Sequence, residues 1–153
     1  MPAYRCQVNG RATTLESWDP HQPLLYALRS VLGLTGVKIG CALGQCGSCT
    51  VLVDDRLVKS CLIPVSASAG RRITTIEGLG TPEKPDRLQA AFIAEQAAQC
   101  GYCTPGIVMA ARALLARTPR PSIDQIKDAL AGNLCRCGTH TRIVNAVLRA
   151  SGQ

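Results

Sequence analysis

Residues 40–49 read GCALGQCGSC, and a further cysteine follows at position 61. The resulting order, C-x4-C-x2-C with a distant fourth cysteine, is the plant-type spacing for a [2Fe–2S] cluster. A two-iron core needs two thiolates at each end, so a short loop has to wrap around it. Glycines at 40, 44 and 47 permit this wrapping, because glycine adopts positive φ angles and lets backbone N–H groups approach sulfur. The predicted ligands of this first cluster are Cys41, Cys46, Cys49 and Cys61.

The second half of the chain carries four more cysteines, arranged as a C-x2-C and a C-x-C with two predicted helices between them. They are Cys100, Cys103, Cys135 and Cys137. Both pairs stand beside glycine at predicted helix ends, in QCGYCTPG and LCRCGTH, so two loops are able to converge on one metal centre. Spacing alone leaves a structural zinc ion as a competitor at this second site.

Zinc and inert thiols are also the alternatives at the first site. Zinc knuckles favour paired C-x2-C units, which the stretch 40–49 lacks, so the spacing favours the iron–sulfur cluster there. Cys6 belongs to neither set. It lies in a predicted strand, and we therefore predict an ordinary buried thiol.

The composition fits a metal-reinforced protein with a thin core. Of 153 residues, 46% are hydrophobic but only five are aromatic, and nine are cysteine. The odd cysteine count and the absence of a secretion signal disfavour disulfides and predict a cytoplasmic location, with co-export beside a partner as the alternative. No apolar run approaches the roughly 18 residues of a membrane span.

The formal net charge is +7, which raises the possibility of nucleic-acid binding. The basic residues are scattered, however, and aromatic stacking residues are scarce, so the sequence predicts no nucleic-acid partner. Two oxidised clusters with their eight thiolates would also lower the net charge to about +3. Such modest basicity suits docking on a protein.

The first half predicts short strands around one helix. Strands at 3–8 and 11–16 flank Asn9-Gly10, a dipeptide typical of a type I′ turn. A helix at 23–32 places Leu24, Leu25, Leu28, Val31 and Leu32 on its inner face and stops at Gly33. Further strands are predicted at 49–53, 57–63 and 71–76. These elements predict an α+β domain at 1–76.

The second half predicts helices. Residues 77–85 are rich in Gly and Pro and are predicted to be a linker, followed by a helical domain at 86–153. The first predicted helix spans 86–98 and places Leu88, Ala91, Phe92 and Ala98 on its inner face. The second spans 105–117 after Thr104, and the third spans 122–132 and begins with a Ser122–Gln125 capping box. The fourth spans 139–150, with Ile143, Val144, Val147 and Leu148 on its inner face. Four short helices predict a compact bundle.

The motifs GCALGQCGSC with Cys61, QCGYCTPG and NLCRCGTHTRI resemble those of the small iron–sulfur subunit of the xanthine oxidase, or molybdenum hydroxylase, family. The resemblance covers the chain almost end to end. It implies a β-grasp, plant-type ferredoxin-like domain followed by a four-helix bundle domain, each with its own [2Fe–2S] cluster. It also implies that the second cysteine set binds a cluster rather than zinc.

The same resemblance implies a partner. In this family a large subunit holds a molybdopterin, here expected in its cytosine dinucleotide form, and hydroxylates an N-heterocycle or an aldehyde with oxygen from water. Electrons pass through the small subunit to a flavin, a cytochrome c subunit or another acceptor. Gln99 and Cys137 match positions near the pterin, while His140 and Arg142 either face the partner or serve as capping and surface residues.

The short N-terminus and the CGTHTRI ending look most like the isoquinoline- and nicotinate-type two-subunit dehydrogenases, so an N-heterocycle is the predicted substrate. An aldehyde-oxidising complex is the alternative. A free-standing two-cluster ferredoxin-like carrier and a zinc-dependent binding module are the competing classes of function. Co-purification with a molybdenum-containing chain separates the free carrier from the predicted subunit, and a brown colour excludes the zinc module.

Overall fold

The computed structural model describes residues 1–153 and has α+β architecture, as predicted. Five short strands form one mixed sheet in the order β2-β1-β5-β3-β4, with β1 and β5 parallel and the other neighbours antiparallel. The strands are β1 (Ala3–Val8), β2 (Arg11–Glu16), β3 (Thr50–Val53), β4 (Arg56–Lys59) and β5 (Arg72–Thr74). The helices are α1 (Leu24–Tyr26), α2 (Arg87–Ala94), α3 (Thr104–Arg117), α4 (Ile123–Leu130) and α5 (His140–Ala150).

The two hairpins have the backbone that their turn residues favour. Asn9 and Gly10 both have positive φ angles, 51° and 77°, which confirms the predicted type I′ turn between β1 and β2. Asp54 and Asp55 take the same conformation between β3 and β4, with φ angles of 49° and 64°. The N–H of Arg72 and the guanidinium of Arg71 donate to Asp54, and these bonds lower the pKa of its carboxyl group.

The helix predicted at 23–32 forms, but its second half is wound differently. After α1 the chain continues as a π-helix over Ala27–Val31, where the N–H of Leu32 donates to the carbonyl of Ala27 at 3.3 Å. The wider π turn carries later residues away from their α-helical face. Leu24, Leu25 and Leu28 are buried as predicted, whereas Val31 is half-exposed.

Three other predicted elements are shorter than expected. The strand predicted at 57–63 ends at Lys59, and Cys61 lies in the turn that follows. The helix predicted at 86–98 ends at Ala94, and Gln96 has a positive φ of 50°. Ala98 is consequently exposed rather than buried. Strand β5 is also short and leads into a 3₁₀ turn at Ile76–Gly78.

Each half of the chain has its own hydrophobic core. The sheet and the α1 region bury one set, whose largest fully buried members are Leu15, Leu24, Leu25, Leu28 and Ile73. Helices α2–α5 bury a second set that includes Leu88, Phe92, Ile107, Ile126 and Val147. Capping boxes begin α2 at Asp86 with Gln89 and α4 at Ser122 with Gln125; the second of these was predicted.

The halves meet where α3 packs against β3, and the contact depends on glycine. A Cβ placed on Gly106 would collide with the carbonyl oxygen of Gly47. Close by, the buried side chain of Asn133 donates to the same Gly47 carbonyl at 3.1 Å. The N–H of Leu134 donates to the carbonyl of Cys46 at 2.9 Å. The loop before Cys135 is therefore bonded directly to residues 40–49.

Replacing Gly106 with alanine is expected to destabilise the holo-protein by about 1–3 kcal/mol, because the added methyl group would force α3 away from the Gly47 backbone. The unfolding midpoint in denaturant reports the change. Arg112→Ala, on the exposed face of the same helix, is the matched control and should change stability by no more than about 0.5 kcal/mol. Equal effects of the two substitutions would contradict the tight contact.

Candidate metal centres

The backbone of residues 40–49, the first cysteine loop, directs amide groups at one sulfur. The N–H groups of Leu43, Gln45 and Cys46 all lie 3.2–3.3 Å from the Sγ of Cys41. These bonds, led by that from Leu43, lower the pKa of Cys41 to about 6. The Cys41 N–H in turn donates to the Sγ of Cys46 at 3.3 Å. The loop is thus built to stabilise thiolates, the form that binds metal.

Positive φ angles make this loop conformation possible. Gly44 and Gly47 have φ angles of 73° and 75°, which glycine adopts without strain. Ala42, at 55°, is a non-glycine residue in the same region, where alanine is uncommon. At Gly40 the missing side chain matters for space, because a Cβ there would collide with the Sγ of Cys46. The glycines predicted to let the loop wrap therefore have identifiable roles.

Cys49 and Cys61 form the other part of the first set. Both side chains are buried at the base of the loop. Burial, followed by contact with Cys49, raises the pKa of Cys61 to about 11, and the N–H of Gly44 opposes the shift. The structure thus gathers all four predicted cysteines, with Cys41 beside Cys46 and Cys49 beside Cys61.

The second set is gathered from the α2–α3 connection and the loop before α5. Cys103 and Cys135 lie within hydrogen-bonding range of each other, and Cys100 is close enough for its charge to act on Cys103. Burial, followed by the Cys135 contact, raises the pKa of Cys103 to about 12. Burial also raises the pKa of Cys135, but bonds from Thr139, Cys103 and Gly138 outweigh it, and the net pKa is about 6.

Cys137, the fourth member of the second set, lines a concave pocket with a volume of about 380 Å³. Gln99 lines the same pocket, so the structure brings together the two residues expected near a pterin. Arg142 also lines it and lies 3.5 Å from the carbonyl of Gln96. His140 begins α5 and is exposed.

The pairing of thiols bears on the choice of metal. One zinc ion would need all four sulfurs around a single centre, whereas a two-iron cluster needs two thiolates at each end. The contacts of Cys41 with Cys46, of Cys49 with Cys61 and of Cys103 with Cys135 fit the two-and-two arrangement of thiolates around a two-iron core. Cys6 is a buried thiol in β1, as predicted, and burial raises its pKa.

Two contacts that join the loops carry no signal in the local sequence. Asn133 opens the motif NLCRCGTHTRI, and its amide bonds to Gly47 across the two halves. Tyr102 donates its hydroxyl to the carbonyl of Ile39 at 2.6 Å and so ties the C-x2-C loop to the first cysteine loop. Because each bond joins residues more than sixty positions apart, neither could be predicted from spacing or periodicity.

Comparison with known proteins identifies the chain. Residues 6–72 match the family described as a 2Fe-2S iron-sulfur cluster binding domain, and residues 75–148 match the family described as a [2Fe-2S] binding domain. One of the nicotinate dehydrogenase subunits of Pseudomonas putida is 54% identical over 145 residues, which cover 95% of this chain and 92% of its relative. The chain belongs to the xanthine oxidase family.

Other members of the xanthine oxidase family agree with this assignment. The alpha subunit of isoquinoline 1-oxidoreductase from Brevundimonas diminuta is 47% identical over 144 residues, 94% of either chain. The crystal structure of quinoline 2-oxidoreductase from Pseudomonas putida 86 superimposes with a TM-score of 0.94 at 41% identity, over 98% of this chain and 92% of that one. The chain is thus an iron–sulfur subunit of a molybdenum-dependent oxidoreductase, with two [2Fe–2S] domains for electron transfer.

None of its helices has the length and apolarity to cross a bilayer.

Proposed function

We propose that this protein takes electrons at its Cys137 side from the molybdopterin of a large subunit, and that it delivers them from its Cys41–Cys49 side to an external acceptor. The observation that carries the proposal is the joining of the two cysteine sets by the Leu134–Cys46 backbone hydrogen bond. Leu134 directly precedes Cys135, and Cys46 is itself in the first set. A short, direct connection of this kind suits electron transfer between two neighbouring centres.

The ligands of the proposed clusters are the eight cysteines of the two sets. The first cluster is assigned to Cys41, Cys46, Cys49 and Cys61, and the second to Cys100, Cys103, Cys135 and Cys137. The donor chemistry supports both assignments, since thiolates are the ligands that [2Fe–2S] clusters use. We further assign a β-grasp, ferredoxin-like domain to 1–76, a linker to 77–85 and a four-helix bundle domain to 86–153, supported by the separate cores of the two halves.

The pocket at Gln99 and Cys137 is the proposed point of approach to the partner's pterin. Gln99 is exposed and offers both an amide donor and an acceptor, which suits the polar edge of a pterin. The N-terminal end of α5, with Thr141 and Arg142, adds positive potential to the same pocket. This potential favours an anionic cofactor, and we propose molybdopterin cytosine dinucleotide.

We propose an N-heterocycle as the substrate of the complex, because nicotinate and isoquinoline enzymes supply close relatives of this chain. An aldehyde is the alternative, and turnover assays with both compound classes separate them. For the electron acceptor we propose a flavin or cytochrome c subunit. Cytoplasmic assembly with the large subunit is part of this proposal, and export beside that partner is its alternative.

A [2Fe–2S] cluster supplies one-electron redox chemistry when bound. The chain's own residues decide how that chemistry is used. Amide N–H groups directed at Cys41 stabilise negative charge on sulfur and thereby raise the reduction potential of the first site. Burial of Cys49 and Cys61 excludes water from the inner side of the loop. The Asn133 and Leu134 bonds hold the two sites at a fixed separation.

Metal analysis tests the proposed function directly. The purified holo-protein is expected to contain four irons and four acid-labile sulfides per chain, since each cluster holds two of each. Dithionite reduction should produce two distinguishable S = 1/2 signals in electron paramagnetic resonance (EPR). Zinc in place of half the iron would contradict the assignment of the second set. Stable co-purification with a molybdenum-containing chain distinguishes a subunit from a free carrier.

A further inference from the structure

Lys59 connects the end of the sheet to the first cysteine loop. It is the last residue of β4 and stands two positions before Cys61. Its Nζ donates to the carbonyl oxygen of Gly44 at 2.6 Å, and the side chain is only partly exposed. Hydrogen bonds from a charged donor are short and roughly twice as strong as neutral ones. Lys59 thus fixes the direction of one peptide group in the loop.

That peptide group also contacts a predicted cluster ligand. The Gly44 carbonyl and the Gln45 N–H belong to the same peptide bond, and this N–H lies 3.2 Å from the Sγ of Cys41. All peptide bonds in the chain are trans, so the carbonyl and the N–H point in opposite directions. Holding the carbonyl on Lys59 therefore aims the N–H at Cys41. The ammonium group also polarises the peptide, which strengthens its N–H as a donor.

The ammonium group also lies beside the helical half. A Cβ on Gly132, in the loop after α4, would be in ordinary van der Waals contact with the Lys59 side chain, 3.4 Å from its Nζ and 3.9 Å from its Cε. Lys59 consequently lies at the junction between the two halves, where solvent screens its charge less than at an open surface.

We propose that Lys59 is a positioning residue that raises the reduction potential of the first cluster through the Gly44–Gln45 peptide. The inference rests on the proposed function, in which Cys41 binds that cluster. Reduction adds one electron, and both the ammonium charge and the N–H···S bond stabilise the added negative charge. Removing Lys59 weakens both effects at Cys41. The second cluster has no such peptide link to Lys59, so its potential should shift less than that of the first cluster.

An EPR-monitored redox titration of the holo-protein tests the proposal with two variants. Lys59→Met keeps the chain length and removes both charge and donor, whereas Lys59→Gln removes the charge but keeps a neutral donor. For Lys59→Met we expect the ratio of reduced to oxidised first cluster at a fixed potential to fall on the order of tenfold, about 59 mV for a one-electron couple. The fall in Lys59→Gln should be smaller. Lys84→Met, which removes an exposed lysine of the linker segment, should change neither cluster.

Three results would overturn the proposal. These are an unchanged first potential in Lys59→Met, equal shifts in the Met and Gln variants, and an equal shift of both clusters. Equal shifts in the two variants would mean that the charge acts through space and not through the peptide. If Lys59→Met fails to fold, Lys59→Gln still tests the proposal, because the reduction potential of its first cluster must be lower than that in Lys84→Met. Two EPR signals in the wild-type protein would keep the proposed function intact whatever the variants show.

Discussion

Replacing Cys137 with alanine is expected to abolish the second cluster's EPR signal while the first signal persists. Alanine removes the sulfur donor and leaves three thiols for a core that needs four. Cys137 also lines the pocket that Gln99 lines, so the same change removes a side chain from the site where we propose that the pterin approaches. Sustained turnover of the complex should fall by more than the roughly 10–100-fold that outer-sphere substitutions cause at metal sites. A single reductive half-reaction at molybdenum should remain.

The matched control for this change is Cys6→Ala. Cys6 is a buried thiol in β1 that belongs to neither set, so its loss should leave both EPR signals and turnover in place. The comparison separates the loss of a cluster ligand from the loss of any cysteine. Stopped-flow reduction with substrate measures the half-reaction, and steady-state assays with an artificial acceptor measure turnover. An intact second signal in Cys137→Ala would contradict the ligand assignment.

Much of the site could be predicted because its chemistry depends on short-range spacing. The C-x4-C-x2-C order fixes how a loop can present sulfurs, and the structure places Cys41 beside Cys46 as that order requires. The turn at Asn9-Gly10 could also be predicted from the sequence, since both residues tolerate positive φ angles. The second set needed the family resemblance, because a C-x2-C and a C-x-C alone are compatible with zinc.

The features that the sequence did not reveal depend on tertiary context. Periodicity predicted a regular helix at 23–32, but the chain switches to a π turn at Ala27–Val31, which a 3.6-residue repeat does not signal. Periodicity also missed the early end of α2 at Ala94, where the chain leaves the helix and Gln96 takes a positive φ. The Gly47–Gly106 contact joins residues far apart in the sequence, so neither glycine signals it alone.

Replacing Cys46 with alanine is expected to produce the opposite spectrum: loss of the first cluster's signal with the second retained. The side chain of Cys46 belongs to the first set, where its Sγ accepts the N–H of Cys41. Its backbone carbonyl, however, accepts the N–H of Leu134, and alanine keeps that carbonyl. The link that positions the loop before Cys135 should therefore survive, and the second cluster with it. Substrate should still reduce the second cluster.

Electron delivery to an external acceptor should nevertheless stop in Cys46→Ala, because the proposed exit passes through the first cluster. The two cysteine variants thus interrupt electron transfer at different points. Cys137→Ala prevents electrons from entering the subunit, whereas Cys46→Ala prevents them from leaving it after the second cluster has been reduced. Freeze-quenched EPR after mixing with substrate distinguishes them, since only Cys46→Ala should accumulate a reduced second cluster. Rapid reduction of the external acceptor by Cys46→Ala would place the exit at the second cluster and would contradict the proposed path through the first cluster.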